Sequence, residues 1–171
     1  PNILRGCNAS GLMVTHDPQE AMSICDKVAV MNKGKIHQID TPINLLNNPK
    51  TIFVSSFILG NNIINLKKSG NSVMSCLGEI NSTGLSNNKH IKKMSISPKF
   101  ISIKKSKSGD AKVISKEFLG EFLIYKVSIN DNILRVRTNI NNLLNNGDKC
   151  SLSINKNSHY FLYPGAHKVY L

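Results

Sequence analysis

The sequence has no tryptophan, and aromatic residues make up only 6% of its 171 positions. It contains no apolar run near the roughly 20 residues that a membrane-spanning helix needs. A charged N-terminal segment followed by an apolar stretch is also missing, so no signal peptide is predicted. The four cysteines are scattered without a Cys-x-x-Cys pair, at Cys7, Cys25, Cys76 and Cys150. This spacing argues against a zinc cluster or a disulfide scaffold, and it favours reduced thiols in a soluble cytosolic protein. No metal site is expected.

Negative charge is scarce in the second part of the chain. Residues 1–64 hold five Lys/Arg against four Asp/Glu, a balance of +1, whereas residues 65–171 hold seventeen against six, a balance of +11. A basic module of this kind can meet RNA, DNA or anionic lipid headgroups. Few aromatic residues lie among the lysines, unlike the stacking pattern of a single-strand binder. A solvated basic surface is therefore the simpler interpretation, and no specific nucleic-acid partner is expected.

The most informative stretch lies near the start. Residues 12–15 are predicted to form a short buried strand that ends at His16, and a helix is predicted over about residues 18–25. Asp17 suits the N-cap, Pro18 suits the first helical position, and Glu20 stands where a capping-box acid reaches back. A histidine at this edge of an α/β sheet lies where ligands bind, although closing the strand is its simpler role. One strand cannot form a sheet, which is the first sign of a truncated chain.

The remaining pattern predicts a hairpin, two short helices and a strand-rich second part. The hairpin joins residues 27–32 and 35–40, the helices run from Pro42 to Asn47 and from 51 to 58, and a domain boundary falls near Asn61. Beyond it, short alternating segments are separated by Gly, Asn, Ser and Lys. They predict a small antiparallel barrel, with strands at 63–66, 72–77, 94–97, 100–103, 111–118, 122–129, 133–138, 150–154 and 159–163.

The first part of the chain resembles the end of the nucleotide-binding domain of ABC transporter ATPases. The resemblance rests on Val14–Ala21, on Lys27–Ile36 and on the Thr41-Pro42 helix start, and it is strong over about residues 11–60. It implies that residues 1–60 are the C-terminal part of such a domain. It also implies that His16 is the switch histidine, a catalytic and ATP-binding residue that contacts the γ-phosphate and helps to hold the attacking water.

Residues 61–171 resemble the TOBE domain, an OB-like β-barrel with a regulatory role that is appended to many importer ATPases. The matching pieces are Ile96–Ile101, Phe118–Gly120 and Asn146–Asp148, with Ser97-Pro98-Lys99 standing where the family usually has Arg-Pro-Glu. The closing segment His159–Gly165 is most similar to the iron-importer branch, while polyamine and sugar importers share most of the rest. The expected fold is thus an α+β fragment followed by an all-β, OB-type barrel.

Most of the chemistry of ATP hydrolysis is missing from the sequence. There is no Gly-x-x-x-x-Gly-Lys-Ser/Thr, no Leu-Ser-Gly-Gly and no apolar run that ends in Asp-Glu. One imidazole donates one hydrogen bond and acts only within a constellation that other groups complete. ATP and Mg are therefore expected only in a full-length protein, and this chain alone should not hydrolyse ATP.

The sequence thus predicts the C-terminal portion of the ATP-binding subunit of an ABC importer, for iron, otherwise for polyamine or sugar. The resemblance implies a homodimer of ATPase subunits, permease subunits in the membrane, an indirect periplasmic or lipid-anchored solute-binding protein, and a cytoplasmic location on the inner face of the membrane. The alternative is a stand-alone basic OB-like barrel that binds nucleic acid or a small anion.

Self-association is also expected, because the natural cover of residues 12–58 would lie outside the chain. A dimer or larger assembly is predicted, with residues 1–60 more sensitive to protease than the barrel. The side chains expected to expose apolar area are Val14, Val28, Val30, Ile36, Phe53 and Phe57.

Overall fold

The computed structural model describes residues 10–69, 72–80, 91–141 and 143–171. The chain divides into two compact units, one ending at Leu59 and the other beginning at Gly60. The first unit combines helices with a hairpin, and the second is built almost entirely from strands. Cys25, Cys76 and Cys150 are free thiols, and Cys7 lies outside the described residues.

The described residues of the first unit form three helices and one antiparallel hairpin. The elements are α1 (Pro18–Ile24), β1 (Val28–Asn32), β2 (Lys35–Asp40), α2 (Pro42–Asn47) and α3 (Ile52–Leu59). The predicted hairpin and helices are confirmed. Lys33 and Gly34 join the two strands with positive φ angles of 48° and 72°, the geometry that a two-residue hairpin loop requires. In the described part of the chain, no helix is long and apolar enough to cross a membrane.

The predicted strand at residues 12–15 is wrong. The segment is irregular, and the side chains of Leu12 and Val14 are 95% and 90% exposed. A strand forms only where neighbouring strands pair its main-chain N–H and C=O groups. Among the described residues, this segment has no such neighbour. The apolar residues before His16 therefore face solvent.

A small core nevertheless forms in the first unit. Ala21 from α1, Val28 and Val30 from β1, Leu45 from α2 and Val54 from α3 are buried together. The expectation that Val28 and Val30 would be exposed is therefore wrong, because side chains of the three helices cover this face of the hairpin. Of the other residues expected to be exposed, Val14, Ile36 and Phe57 are exposed, whereas Phe53 is half-buried.

The second unit contains twelve described strands and a short 3₁₀ helix at Pro98–Phe100. All nine predicted strands are present within a few residues of their expected limits. Three short strands, at Lys67–Ser69, Gly78–Ile80 and His167–Tyr170, were not predicted. In chain order the strands are β3 (Asn62–Asn65), β4 (Lys67–Ser69), β5 (Ser72–Ser75), β6 (Gly78–Ile80), β7 (Lys93–Ile96), β8 (Ile101–Lys105), β9 (Ala111–Phe118), β10 (Phe122–Ile129), β11 (Asn132–Asn139), β12 (Lys149–Ile154), β13 (His159–Tyr163) and β14 (His167–Tyr170).

These strands form open sheets around one shared core. Their orders are β11-β10-β9-β12-β8, β14-β13-β7-β3 and β4-β5-β6. Side chains from all three sheets meet in one buried cluster that includes Ile64, Ile80, Met94, Tyr125 and Val136. The second unit is therefore a layered β structure with a single core.

The predicted closed OB-type barrel is wrong for the residues that the structure describes. Strand β11 is one edge of the five-stranded sheet, and β3 is one edge of the four-stranded sheet. The side chain of Asn62 in β3 bonds to the main chain of Arg135 in β11 through two hydrogen bonds of 2.7 and 2.8 Å. A side-chain amide thus connects these two edges, where closure would need a ladder of main-chain hydrogen bonds.

Candidate functional site

His16 lies in the irregular segment immediately before α1, and its side chain is exposed. Among the described residues, no hydrogen bond involves its imidazole ring. Its main chain is held on both sides, because Thr15 and Asp17 each take part in hydrogen bonds. The residue singled out by the sequence thus presents an accessible ring on a fixed stretch of backbone.

Asp17 caps the N-terminus of α1, as predicted. Its Oδ1 accepts hydrogen bonds from the main-chain N–H of Gln19 at 2.8 Å and of Glu20 at 3.4 Å. Its backbone is extended, with φ −95° and ψ 109°, and Pro18 follows in the first turn. The Asp17 carboxylate therefore satisfies N–H groups that the helix itself cannot pair.

Glu20 does not form the capping box that the sequence predicts. Its Oε2 accepts a hydrogen bond of 2.6 Å from the Thr15 hydroxyl. That hydroxyl oxygen in turn accepts a hydrogen bond of 3.0 Å from the Asp17 main-chain N–H. Thr15 thus stands between the two groups that a capping box joins directly. The resulting chain of hydrogen bonds encloses the backbone of His16.

The site offers one free hydrogen-bonding group and little else. Asp17 and Glu20 both accept hydrogen bonds within the helix start, so their oxygens serve local structure. In the described ranges, no three His, Cys, Asp or Glu side chains lie together as metal ligands. A neutral imidazole can donate one hydrogen bond. The arrangement fits a single contact to a phosphate oxygen, but it does not form a complete nucleotide site.

Sequence reasoning missed Gln38, the buried polar residue that organises the first unit. It is only 4% exposed. Its Nε2 donates to the Asn48 carbonyl oxygen at 3.0 Å, and its Oε1 accepts from the Lys50 main-chain N–H at 2.8 Å. These bonds hold β2 to the segment between α2 and α3. A glutamine in an alternating strand gives no sequence signal for this role.

The second unit contains an open cleft with a volume of about 410 Å³. Its lining is mixed: apolar side chains such as Leu77, Ile80 and Ile154 contribute, and Glu79 and Lys156 supply one charge of each sign. Burial raises the pKa of the nearby Tyr160 to about 12, so this phenol stays neutral at physiological pH. The cleft contains no group poised for chemistry.

Part of this chain is similar in sequence to known proteins. A stretch of this chain is 51% identical over 63 residues to proteins named spermidine/putrescine import ATP-binding protein PotA from Bacillus thuringiensis (strain Al Hakam) and Bacillus anthracis. The protein of that name from Trichormus variabilis is 47% identical over 62 residues. The Bacillus match covers 37% of this chain and 19% of the relatives; the Trichormus match covers 36% and 16%. No protein-family model matches.

These relatives support similarity to the ATP-binding subunits of ABC importers and correct one expectation. Their names give spermidine and putrescine as the solutes, so the comparison does not support the iron branch. That branch was inferred from the closing segment His159–Gly165. In the structure, Tyr160, Phe161, Leu162 and Tyr163 of this segment are buried in or beside the core. The apolar pattern of this segment is therefore explained by its packing in this chain.

Proposed function

We propose that the chain is the C-terminal part of the ATP-binding subunit of an ABC importer that takes up a polyamine. The observation that carries this proposal is the 51% identity over 63 residues to spermidine/putrescine import ATP-binding proteins. In the complete subunit, ATP hydrolysis would drive transport of the solute. Because this chain spans about a fifth of the length of the relatives that it matches, the remaining functions belong to the complete protein.

Within this proposal His16 is the switch histidine, which contacts the γ-phosphate and helps to hold the attacking water. Two features of the structure support the role. The ring is exposed, and the hydrogen bonds of Thr15, Asp17 and Glu20 fix the backbone that carries it. A positioned donor of this kind contributes through orientation and electrostatics.

ATP and Mg belong to the complete protein in this proposal. The described residues supply one donor for a phosphate and no cluster of metal ligands. The sequence also lacks a glycine-rich loop with its lysine, which would cradle the phosphates. In this proposal the chain therefore contributes only the contact of His16 to hydrolysis.

The proposal includes the partners of such subunits. Two ATPase subunits would pair and act on permease subunits at the cytoplasmic face of the membrane, and a solute-binding protein would deliver the polyamine. The unit that begins at Gly60 would be the appended regulatory β domain. Its separation from the first unit at Leu59 supports this assignment.

A fusion protein tests the role of His16. The part of the Bacillus anthracis relative that precedes the matched stretch is joined upstream of this chain, and ATP binding and hydrolysis are measured separately. We expect His16→Ala to lower turnover by about 10²-fold while ATP affinity stays the same, because a positioned donor acts mainly on the transition state. Gln19→Ala, at an exposed position in α1, is the matched control. Unchanged turnover in the His16 variant would remove the proposed role.

A further inference from the structure

The outward face of the five-stranded sheet carries a continuous row of cations. In β11, Leu134 and Val136 point into the core, while Arg135 and Arg137 are exposed. On the same face, one exposed lysine lies on each of the next three strands of the sheet. We call these five side chains the basic track: Lys149 on β12, Lys112 on β9, Lys126 on β10, and Arg135 and Arg137 on β11.

Strand register makes the basic track continuous. Lys149 lies directly opposite Lys112, and Lys126 lies directly opposite Arg135. Lys112 lies opposite Ser128, which is two residues from Lys126 on the same face of β10. The track therefore runs diagonally over four strands. Strand spacing and residue rise put successive Cα atoms of the track about 5–8 Å apart.

This arrangement has an electrostatic cost. Like charges placed directly opposite on neighbouring strands repel and destabilise a sheet, and the track contains two such pairs, Lys112–Lys149 and Lys126–Arg135. Within the described residues, none of the five cations forms an ion pair with a carboxylate; the ion pair between Lys105 and Asp148 lies outside the track. No ion pair in the described part of the chain compensates the charge of the track.

Glu117 is an acid on the same face. By register, both Glu117 and Arg137 lie opposite the buried Ile124, so a strand separates the two charges. Because Ile124 is two residues from Lys126 on the same face of β10, Glu117 is a diagonal neighbour of Lys126, about 7–8 Å away. Among the described residues Glu117 forms no ion pair with Lys126, and the five cations of the track outnumber this one acid.

We propose that the basic track binds the phosphate backbone of a single-stranded nucleic acid without reading its sequence. A row of cations along one line matches a row of phosphates along a flexible strand. Base stacking on the Phe122 ring is not expected. The Arg137 guanidinium lies over this ring, 3.7 Å from its centre, and takes the place that a base would need. Recognition would therefore rest on charge alone, in keeping with the expectation that no specific nucleic acid is bound.

The composition of the track favours phosphates over a protein or lipid partner. Protein interfaces are built around an apolar centre with charges at the rim, whereas charges form the centre here. Surfaces that bind membranes combine cations with apolar groups that enter the lipid boundary. Ile133 is exposed beside the track, but the row itself is composed of Lys and Arg.

The proposal is tested by the fluorescence anisotropy of a labelled oligouridylate that is titrated with this 171-residue chain. Five contacts to a single strand predict a slope of about −3.5 in a plot of log affinity against log salt concentration. Between about 50 and about 200 mM salt, affinity should then fall about 100-fold. A slope near zero, or no binding at the lower salt concentration, would overturn the proposal.

A pair of matched variants locates the contact. Lys126→Gln with Arg135→Gln removes two track charges, and Lys67→Gln with Lys68→Gln removes two exposed charges from β4 in a different sheet. The track variant should reduce the slope to about −2 and the salt-induced loss to about 20-fold. The β4 variant should behave like the unchanged chain. Equal effects of the two variants would show that net charge alone drives binding, and the proposal would fail.

Two further measurements test whether the variants fold and whether another ligand binds more tightly. Thermal unfolding of each variant shows whether it folds; if the first track variant does not, Lys112→Gln with Lys149→Gln replaces it. Polyglutamate and vesicles containing phosphatidylserine are titrated in parallel. Tighter binding of either, with loss in the track variant, would assign the track to an acidic protein or to a membrane and contradict the nucleic-acid proposal.

Discussion

The side-chain amide of Asn62 forms two hydrogen bonds with the main chain of Arg135, which lies 73 residues away in the sequence. Asn62 Oδ1 accepts from the Arg135 N–H at 2.7 Å, and Asn62 Nδ2 donates to the Arg135 carbonyl oxygen at 2.8 Å. The side chain is almost fully buried, at 7% exposure. It therefore joins the first strand of the second unit to the edge strand β11 and occupies main-chain groups with which another strand could pair.

Replacing this amide should destabilise the second unit. In Asn62→Ala, the Arg135 N–H and C=O lose both partners, and a lost buried hydrogen bond costs about 1–3 kcal/mol of unfolding free energy. All four tyrosines lie in the second unit, so denaturant unfolding followed by tyrosine fluorescence reports on it. Asn139→Ala, at an exposed position of β11, serves as the control. Equal stability of the two variants would contradict this role of Asn62.

A second buried contact fixes the loop after β11. The Tyr125 hydroxyl accepts a hydrogen bond from the Leu144 main-chain N–H at 3.0 Å, and both residues are buried in the core. Tyr125→Phe keeps the ring but leaves this N–H without that partner, so we expect a loss of about 1–2 kcal/mol in unfolding free energy. Tyr170→Phe, on an exposed ring, should change stability little. The denaturant midpoints of the two variants check the difference.

The helix cap beside His16 gives a local prediction. Asp17→Ala removes the acceptor for the Gln19 and Glu20 N–H groups, a change that costs about 0.5–2 kcal/mol of helix stability. Hydrogen exchange of these two amides should accelerate about 10-fold, while exchange in the second unit stays unchanged. Gln19→Ala, in the same turn, should leave the cap intact. Unaltered protection in the Asp17 variant would show that the cap does not hold the helix start.

The stability of the second unit should depend on the protonation of His159. Burial, with Lys168 and Lys99 nearby, lowers the pKa of His159 below its ordinary value of 6.5. The unfolded chain therefore binds a proton more readily than the folded chain, so stability is lost as pH falls below about 6.5.

The denaturant midpoint, followed by tyrosine fluorescence from about pH 7.5 to about pH 5.5, measures this effect. His159→Phe keeps an aromatic ring against Phe100 and Phe161 and should reduce the loss of stability on acidification. His167→Phe, on an exposed side chain of β14, should retain the full loss. If both variants follow the unchanged chain, His159 does not cause the pH dependence.

The local elements could be predicted from the sequence because their signals are short-ranged. Pro42 behind Thr41 marked α2, and Gly34 marked the turn of the first hairpin. The turn between β10 and β11 likewise depends on local residues, because Asn130 there has a positive φ of 48°, which Asn adopts more readily than most residues. Each of these features depends on residues within one turn of the chain, so a single sequence contains the necessary information.

Features that depend on distant partners could not be predicted. Residues 12–15 have the composition of a buried strand, but strand formation needs neighbours, and the structure shows none among the described residues. Closure of the barrel depended on whether β3 and β11 would pair, and the amide of Asn62 meets β11 instead. The basic track could not be predicted from the sequence either, because Lys112 and Lys149 become neighbours only through the pairing of β9 with β12.

Polyamine uptake by living cells tests the central proposal most directly. A bacterial strain that lacks its own spermidine/putrescine ATP-binding subunit receives the fusion protein, in which the upstream part of the Bacillus anthracis relative precedes this chain. We expect restored uptake of labelled spermidine, loss of uptake with His16→Ala, and retained uptake with Gln19→Ala at equal protein levels. Failure to restore spermidine uptake by a fusion protein that is stable and hydrolyses ATP, or uptake that His16→Ala leaves unchanged, would contradict the account.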